Sequence, residues 1–254
     1  MSVFDLSDRV AIVTGGNGGV GLGLAMGLAQ AGATVVITGR NRDKGAQALT
    51  QLRALGVAAE FLVIDITREG CHAMVKTTLE KFGRVNVLVN NAGGMSVRKR
   101  PEEYTSAEWH SLIDTNLTNA FHCCQAAFPE MKRQGGGKII NIGSLVSWFG
   151  VPFGAPYAAS KGGVVQLTRA LATAWAKDNI QVNAVLPGFF DTEQTKQARE
   201  QVPTMNERVL SRTPAGRWGV ADDLSGIAAF LGSSGSDFIT GAVIPVDGGY
   251  SAQL

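Results

Sequence analysis

Two side chains in the second half of the chain have the types and the spacing for proton transfer. Tyr157 and Lys161 are four positions apart, so on a helix both side chains reach the same site. The ordinary pKa of tyrosine is about 10, which is too high for an efficient base near neutral pH. An adjacent ammonium group favours the phenolate, so Lys161 is expected to lower the pKa of Tyr157. Because the same spacing is common on plain amphipathic surfaces, the surrounding elements must decide its meaning.

The chain alternates between short β-branched runs and stretches long enough for a helix. The runs are residues 10–13, 34–38, 61–64, 85–89, 138–142, 181–185 and 242–246. This alternation predicts an α/β fold, namely a single Rossmann-type, doubly wound, seven-stranded parallel sheet with helices on both faces. No linker, repeat or low-complexity tract divides the chain, so residues 1–254 are predicted to form one domain.

A glycine-rich segment, TGGNGGVGLG at residues 14–23, directly follows the first run and leads into an apolar helical pattern. Unpaired N–H groups at such a helix start bind a pyrophosphate, and a Cβ in the turn would hold the phosphate away. The segment fits both GxGxxG, starting at Gly16, and TGxxxGxG, starting at Thr14. Gly23 and Gly27 are expected to allow close helix packing instead.

Composition narrows the class of partner. The 254 residues are 45% hydrophobic and 17% charged, with a formal charge of +2, which favours small molecules over nucleic acid. The three cysteines show no CxxC spacing and the histidines no metal-binding grouping, so no metal is predicted. The uncharged residues 11–39 are broken by glycines, and the N-terminus lacks a secretory pattern. We therefore expect a soluble, cytoplasmic protein without a membrane segment.

Further motifs follow the later runs in order. Asn90-Asn91-Ala92-Gly93 follows the fourth run, Ser144 the fifth, and Pro187-Gly188 the sixth, while Tyr157 lies thirteen residues past Ser144. Together with the glycine-rich segment, these motifs make the chain resemble the classical short-chain dehydrogenase/reductase superfamily, from Val10 to Tyr250. The resemblance implies a nicotinamide-dependent oxidoreductase that interconverts a secondary alcohol and a ketone.

The resemblance implies roles for individual residues. Tyr157 is the acid–base group, Lys161 also bonds the nicotinamide ribose, Ser144 orients the substrate oxygen, and Asn116 completes a proton relay through water. Ser147 is an alternative for the serine role, and Asn116 could instead bond the local backbone. The residues implied to bind cofactor are Gly15, Asn17, Gly19, Val20, Gly21, Arg40, Asp65, Ile66, Asn91, Ala92, Gly93, Tyr157, Lys161, Pro187, Gly188 and Thr192. Thr192 could alternatively cap a loop.

The end of the second run bears on the choice of cofactor. NAD-binding proteins place an acidic residue there, whereas an arginine accommodates the extra phosphate of NADP. This sequence has Gly39 and Arg40, followed by Arg42, so NADP(H) is favoured and NAD(H) stays possible. Arg40 could also stack on adenine without a phosphate.

The substrate is less well defined by the sequence. The resemblance predicts a lid at about residues 189–217, with Trp148, Phe149 and Phe189 lining the pocket. The basic loop SVRKR, residues 96–100, could meet a substrate carboxylate or phosphate, or could be solvated. The chain looks similar to sugar-acid dehydrogenases, while 3-oxoacyl thioester reductases and non-catalytic NADP-binding redox sensors are the alternatives. The resemblance also implies a homotetramer.

Overall fold

The structure, a computed structural model, describes residues 2–253. Its strands are β1 (Val10–Val13), β2 (Thr34–Gly39), β3 (Ala59–Val63), β4 (Val87–Asn90), β5 (Gly137–Ile142), β6 (Ile180–Pro187) and β7 (Val243–Val246). They form one parallel sheet in the order β3-β2-β1-β4-β5-β6-β7. The predicted seven-stranded, doubly wound sheet is confirmed.

Helices cover both faces of this sheet. They are α1 (Gly19–Gln30), α2 (Arg42–Arg53), α3 (Arg68–Phe82), α4 (Ser106–Ile113), α5 (Asn119–Arg133), α6 (Ala155–Trp175), α7 (Glu193–Gln201), α8 (Met205–Arg212) and α9 (Ser225–Gly232). A π-helical turn, Asp114–Thr118, joins α4 to α5. Local caps define several starts: the Asn41 side chain accepts from the Lys44 N–H before α2, and Thr67 accepts from the Gly70 N–H before α3.

Alternate residues of each strand enter two separate hydrophobic cores. Val13 of β1 packs with α1, α2 and α9 on one face, whereas Ile12 packs with α3, α5 and α6 on the other. All four residues of β1 and all eight of β6 are buried, as expected for strands covered on both faces. The chain order reverses between β1 and β4, which places a crevice at their carboxyl ends.

Two glycines of α1 allow a close contact with α9 and the turn before it. A Cβ on Gly23 would stand 2.0 Å from the Ala221 carbonyl oxygen, and one on Gly27 would stand 2.2 Å from that of Ser225. The packing role predicted for these glycines is therefore confirmed, and α1 lies directly against α9 and the turn before it.

The strand limits differ slightly from the prediction. β4 begins at Val87 rather than at residue 85, and the side-chain oxygen of the preceding Asn86 accepts a hydrogen bond from the Val10 N–H. β3 begins at Ala59, two residues early, since its register follows that of β2. Within residues 2–253, no helix combines the length and apolar character that a membrane crossing requires.

Candidate active site

The glycine-rich turn after β1 is shaped by two residues with left-handed backbone. Gly15 has φ +63° and Gly19 has φ +51°, conformations that side chains disfavour. A Cβ on Gly21 would stand 2.3 Å from the Gly15 carbonyl oxygen, whereas one on Gly18 would meet nothing within 4 Å. The geometry favours the TGxxxGxG pattern over GxGxxG, because Gly15, Gly19 and Gly21 all need glycine whereas Gly18 does not. Gly16 is also enclosed, since a Cβ there would stand 2.6 Å from the Ile37 side chain.

Hydrogen bonds fasten this turn to the end of β4. The Asn91 amide donates to the carbonyl oxygens of Thr14 (3.0 Å) and Gly15 (3.1 Å). In return, the Thr14 hydroxyl oxygen accepts from the N–H groups of Asn91 (2.9 Å) and Ala92 (3.0 Å). The crevice between β1 and β4 is therefore fixed by paired polar groups on both sides.

Two cavities open along this crevice. One, of about 550 Å³ and here called the catalytic cavity, is lined by Ser144, Tyr157 and Lys161 among others. The second, of about 670 Å³ and here called the Arg40 cavity, is lined by Arg40, Asp65 and Ile66. Both share Gly15, Asn17, Ala92, Gly93, Gly94 and Gln194, so they form one continuous cleft. The catalytic cavity also includes the predicted residues Gly19, Val20, Gly21, Asn91, Pro187, Gly188 and Thr192.

Lys161 is the buried cation of the catalytic cavity. Its side chain is carried by α6, is only 4% exposed, and donates from Nζ to the Ile142 carbonyl oxygen at 2.7 Å. Burial lowers the pKa of Lys161 to about 8, because the ammonium has lost its water. Its Nζ lies 5.9 Å from the centre of the Tyr157 ring.

The pKa of Tyr157 departs from the expectation. Burial raises the pKa of the phenol, and this outweighs the Ser144 hydroxyl and the positive charge of Arg98, which both lower it. The predicted lowering by Lys161 is not seen, since the ammonium is bonded to Ile142 rather than to the phenol oxygen. In the protein alone, Tyr157 is therefore held in its protonated form.

Ser144 and Ser147 are distinguished by their partners. Ser144 lines the catalytic cavity, and its hydroxyl acts to lower the pKa of Tyr157. The Ser147 hydroxyl instead donates to the Lys161 carbonyl oxygen (2.8 Å) and accepts from the Ser144 N–H (3.2 Å). Ser147 thus supports the turn, and Ser144 is the serine that faces the cleft.

Asn116 lies beneath the cleft and lines neither cavity. Its amide donates to the carbonyl oxygens of Gly94 (3.0 Å) and Leu112 (2.9 Å), and its side-chain oxygen accepts from the Gly94 N–H (2.9 Å). The side chain predicted for a proton relay is therefore fully occupied with backbone groups. Through its two bonds to Gly94, the side chain fixes the loop at Gly93 and Gly94, which lines the cleft.

The polar groups of the Arg40 cavity fit a phosphorylated dinucleotide. Arg40 is exposed, and neither it nor Arg42 has a carboxylate partner among the ion pairs of residues 2–253. At the other end, Thr192 both caps α7, accepting from the Thr195 N–H, and lines the catalytic cavity. Because the turn carries glycines, its backbone N–H groups can approach a pyrophosphate in the middle of the cleft. Arg40 can bind an extra phosphate at its end.

Comparison with known proteins agrees with this geometry. The model of the short chain dehydrogenase family matches residues 9–203. The chain belongs to the short-chain dehydrogenase family. As a short-chain dehydrogenase it is an NAD(P)-dependent oxidoreductase, consistent with the cleft described above.

Several relatives of this short-chain dehydrogenase match it from end to end. It is 41% identical over 255 residues to 2-dehydro-3-deoxy-D-gluconate 5-dehydrogenase of Escherichia coli (strain K12), covering 100% of this chain and 99% of that protein. It is 40% identical to gluconate 5-dehydrogenase of Gluconobacter oxydans (strain 621H), covering 99% and 98%. The crystal structure of a gluconate 5-dehydrogenase from Burkholderia cenocepacia J2315, in complex with NADP and tartrate, superposes with a TM-score of 0.92 at 40% identity, covering 99% and 98%.

The aromatic residues predicted to line the pocket of this dehydrogenase are placed differently. Trp148 and Phe149 are 43% and 39% exposed, and neither lines the two cavities of the cleft. Phe189 packs against Trp218 (5.8 Å between ring centres) and Tyr250 (5.0 Å), where it borders a separate cavity of about 220 Å³. Trp148 and Phe149 therefore lie at the surface, and Phe189 packs in an aromatic cluster outside the cleft.

Several residues that line the cleft were not predicted from the sequence of this dehydrogenase. Lys44 and Glu193 line the catalytic cavity, and Gln194 lines both cavities. Lys44 lies 149 residues from its partner Glu193, so no local pattern could have revealed the pair. Within residues 2–253, no group of three His, Cys, Asp or Glu side chains could hold a metal ion.

Proposed function

We propose that this dehydrogenase interconverts a secondary alcohol and a ketone on a small sugar acid, with NADP(H) as cofactor. The observation that carries the proposal is Arg98, an exposed arginine with no ion-pair partner in residues 2–253, whose positive charge acts to lower the pKa of the Tyr157 phenol. Sugar-acid dehydrogenases among the relatives, with 40% and 41% identity, support the same substrate class.

The basic loop before α4 contains one cation without an acidic partner. Lys99 pairs with Glu108 (2.6 Å) and Arg100 with Glu102 (2.5 Å). Arg98 is exposed, appears in no ion pair of the described residues, and its charge is felt at the Tyr157 phenol. A guanidinium in this position can bind a carboxylate bidentately, so Arg98 is the proposed anchor of the substrate acid group.

The chain's own residues then handle the proton and the geometry. When bound, NADP(H) supplies or accepts the hydride. Tyr157 holds a proton at its phenol oxygen for the substrate oxygen, because burial raises its pKa. Ser144 orients that oxygen by hydrogen bonding, and Lys161 provides the positive charge that favours phenolate once the proton has left.

NADP(H) is proposed over NAD(H) because of the Arg40 cavity. Arg40 and Arg42 follow β2 without an acidic residue to bond a ribose hydroxyl, and Arg40 is free to meet a phosphate. Structures similar to this chain contain bound NADP, including the gluconate 5-dehydrogenase complex. Gly15, Asn17, Gly19, Val20 and Gly21 would surround the pyrophosphate.

A substrate panel with matched arginine variants tests this proposal. Nicotinamide absorbance is followed with NADP and NAD against sugar acids, the corresponding neutral polyols, cyclic alcohols and acyl thioesters. Arg98→Ala should raise KM for the acid about tenfold while leaving neutral polyols unaffected, because one charge-assisted contact is lost. Arg100→Ala, whose charge is already paired with Glu102, is the control.

Other outcomes of the panel would contradict the proposal. Turnover of acyl thioesters in preference to sugar acids would favour a 3-oxoacyl reductase. Tight NADP binding without turnover of any class would favour the redox sensor, although Tyr157 and Lys161 are both present. Equal effects of Arg98→Ala and Arg100→Ala would remove Arg98 from the substrate site.

We also propose a cytoplasmic homotetramer. The support is an aromatic surface on α4 and α5, where Trp109 is 41% and Phe121 36% exposed. Large exposed aromatic groups of this kind are typical of protein interfaces. All three cysteines are free and buried, which suits a reducing compartment. Light scattering on the purified protein tests the assembly: a monomer that stays monomeric at micromolar concentration contradicts it.

A further inference from the structure

The first turn of α7 contacts three separate walls of the cleft. Glu193 forms an ion pair with the Lys44 ammonium of α2. The neighbouring Gln194 donates from Nε2 to the Met95 carbonyl oxygen at 3.3 Å. Thr192 lies over the glycine turn, with its Cγ2 3.2 Å from the position a Cβ on Gly19 would take. Three consecutive residues thus reach α2, the loop after β4 and the glycine-rich turn at residues 14–21, here called the phosphate turn.

These contacts cross the cleft where its two cavities meet. Lys44 and Glu193 both line the catalytic cavity, and Gln194 lines that cavity and the Arg40 cavity. The two side-chain contacts join parts of the chain that lie 149 and 99 residues apart. A dinucleotide bound between Arg40 and Tyr157 would therefore lie next to this turn.

We propose that the Lys44–Glu193 ion pair fastens α7 across the cleft and so retains the bound cofactor. Lys44 and Glu193 are positioning residues in this proposal, which rests on the proposed NADP(H) site. The pair is the only one among the described ion pairs that joins α2 to α7. Opening α7 requires this pair to separate, so the pair acts on the rate at which the cofactor leaves.

The charges favour fastening over direct phosphate binding by Lys44. The Lys44 ammonium is paired with the Glu193 carboxylate of α7 and not with a group of the glycine turn. Both side chains are partly exposed, 46% for Lys44 and 67% for Glu193, and such pairs contribute modestly. We therefore expect changes of about three- to fivefold in the dissociation rate rather than loss of binding.

Displacement of NADPH measures that rate directly. NADPH fluorescence is followed after excess NADP⁺ is added to the loaded protein carrying Lys44→Met, Glu193→Gln or both. Each single variant should release NADPH about three to five times faster, and the double variant no faster than either single one. The exchanged pair, Lys44→Glu with Glu193→Lys, should return the rate towards that of the natural chain. Lys76→Met with Glu80→Gln, an exposed pair on α3, is the matched control.

Two results would overturn the proposal. Rates unchanged in both single variants would show that the pair does not retain the cofactor. An effect of Lys44→Met alone, additive with Glu193→Gln and not rescued by exchange, would show that Lys44 acts on the phosphates by itself.

Hydrogen exchange separates this proposal from the proposed function. Amides of residues 193–201 are measured in the protein without added cofactor. Lys44→Met and Glu193→Gln should both speed their exchange about threefold, because α7 loses a fastening contact. Unchanged exchange in both variants rejects the fastening role. If the natural chain fails to bind NADPH while the variants still speed exchange, the proposed function is wrong and the fastening contact stands.

Discussion

The phosphate turn and the catalytic cavity lie on one cleft but are built on opposite principles. The turn at residues 14–21 is made mostly of glycine backbone. Position 21 must be glycine, because a Cβ there would stand 2.3 Å from the Gly15 carbonyl oxygen. The catalytic cavity is made of side chains that burial perturbs: Lys161 is shifted to a pKa of about 8 and Tyr157 is shifted upward. The comparison teaches that binding and proton transfer can be impaired independently, which the following substitutions test.

Among these substitutions, Tyr157→Phe should have the largest effect, which is a loss of catalytic rate. Loss of the Tyr157 phenol should lower kcat about a thousandfold, within the usual range for a general acid. NADPH binding, measured by fluorescence titration, should stay within about twofold, since the ring itself is kept. Tyr250→Phe, which alters a tyrosine next to Phe189, is the control and should retain most activity.

Lys161→Met should change how stability depends on pH. The folded pKa of about 8 lies below the ordinary value of 10.5, so the unfolded chain binds more protons between these values. The free energy of unfolding of the natural chain should therefore rise from pH 8 to 10.5 by at most about 3 kcal/mol relative to the variant. Urea unfolding at several pH values checks this, and parallel curves for the two proteins would contradict it.

Gly21→Ala should damage the phosphate end while leaving the catalytic groups in place. The new Cβ would stand 2.3 Å from the Gly15 carbonyl oxygen and 2.4 Å from the Asn91 amide, so the turn must shift. The Kd for NADPH should rise at least about tenfold, with the pH profile of kcat unchanged. Gly18→Ala, which would meet nothing within 4 Å, should bind normally; equal losses in both variants would refute the contact argument.

Arg40→Ala should give the smallest and most selective effect. Its guanidinium lines the Arg40 cavity, so its loss should lower kcat/KM for NADP about tenfold and leave that for NAD nearly unchanged. Steady-state rates with both cofactors make the test. Equal losses with NADP and NAD would instead indicate that Arg40 stacks on adenine.

Local patterns predicted the fold and about half of the residues that line the cleft. The alternating runs located all seven strands within about two residues, because parallel strands buried on both faces are visibly apolar. The spacing of Gly15, Gly19 and Gly21 identified the turn, and the four-residue spacing of Tyr157 and Lys161 placed both side chains on the catalytic cavity. Each of these signals depends on residues close in sequence.

What the sequence did not predict depends on contacts between distant segments. The raised pKa of Tyr157 follows from burial, which the residue types do not specify. The relay role of Asn116 came from the family resemblance, and its bond to the Gly94 carbonyl oxygen becomes apparent only when the loop after β4 meets the turn after α4. The Lys44–Glu193 pair joins segments 149 residues apart and has no local pattern.

The glycine contacts of α1 have a consequence for dividing the chain. The helix that starts at the phosphate turn is seated, through Gly23 and Gly27, on backbone atoms of Ala221 and Ser225. The family model ends at residue 203, before those partners. A fragment stopping there would expose the side of α1 that packs on Ala221 and Ser225. Residues 9–203 are therefore not expected to fold well by themselves, and split or fusion designs must keep residues 221–232 with them.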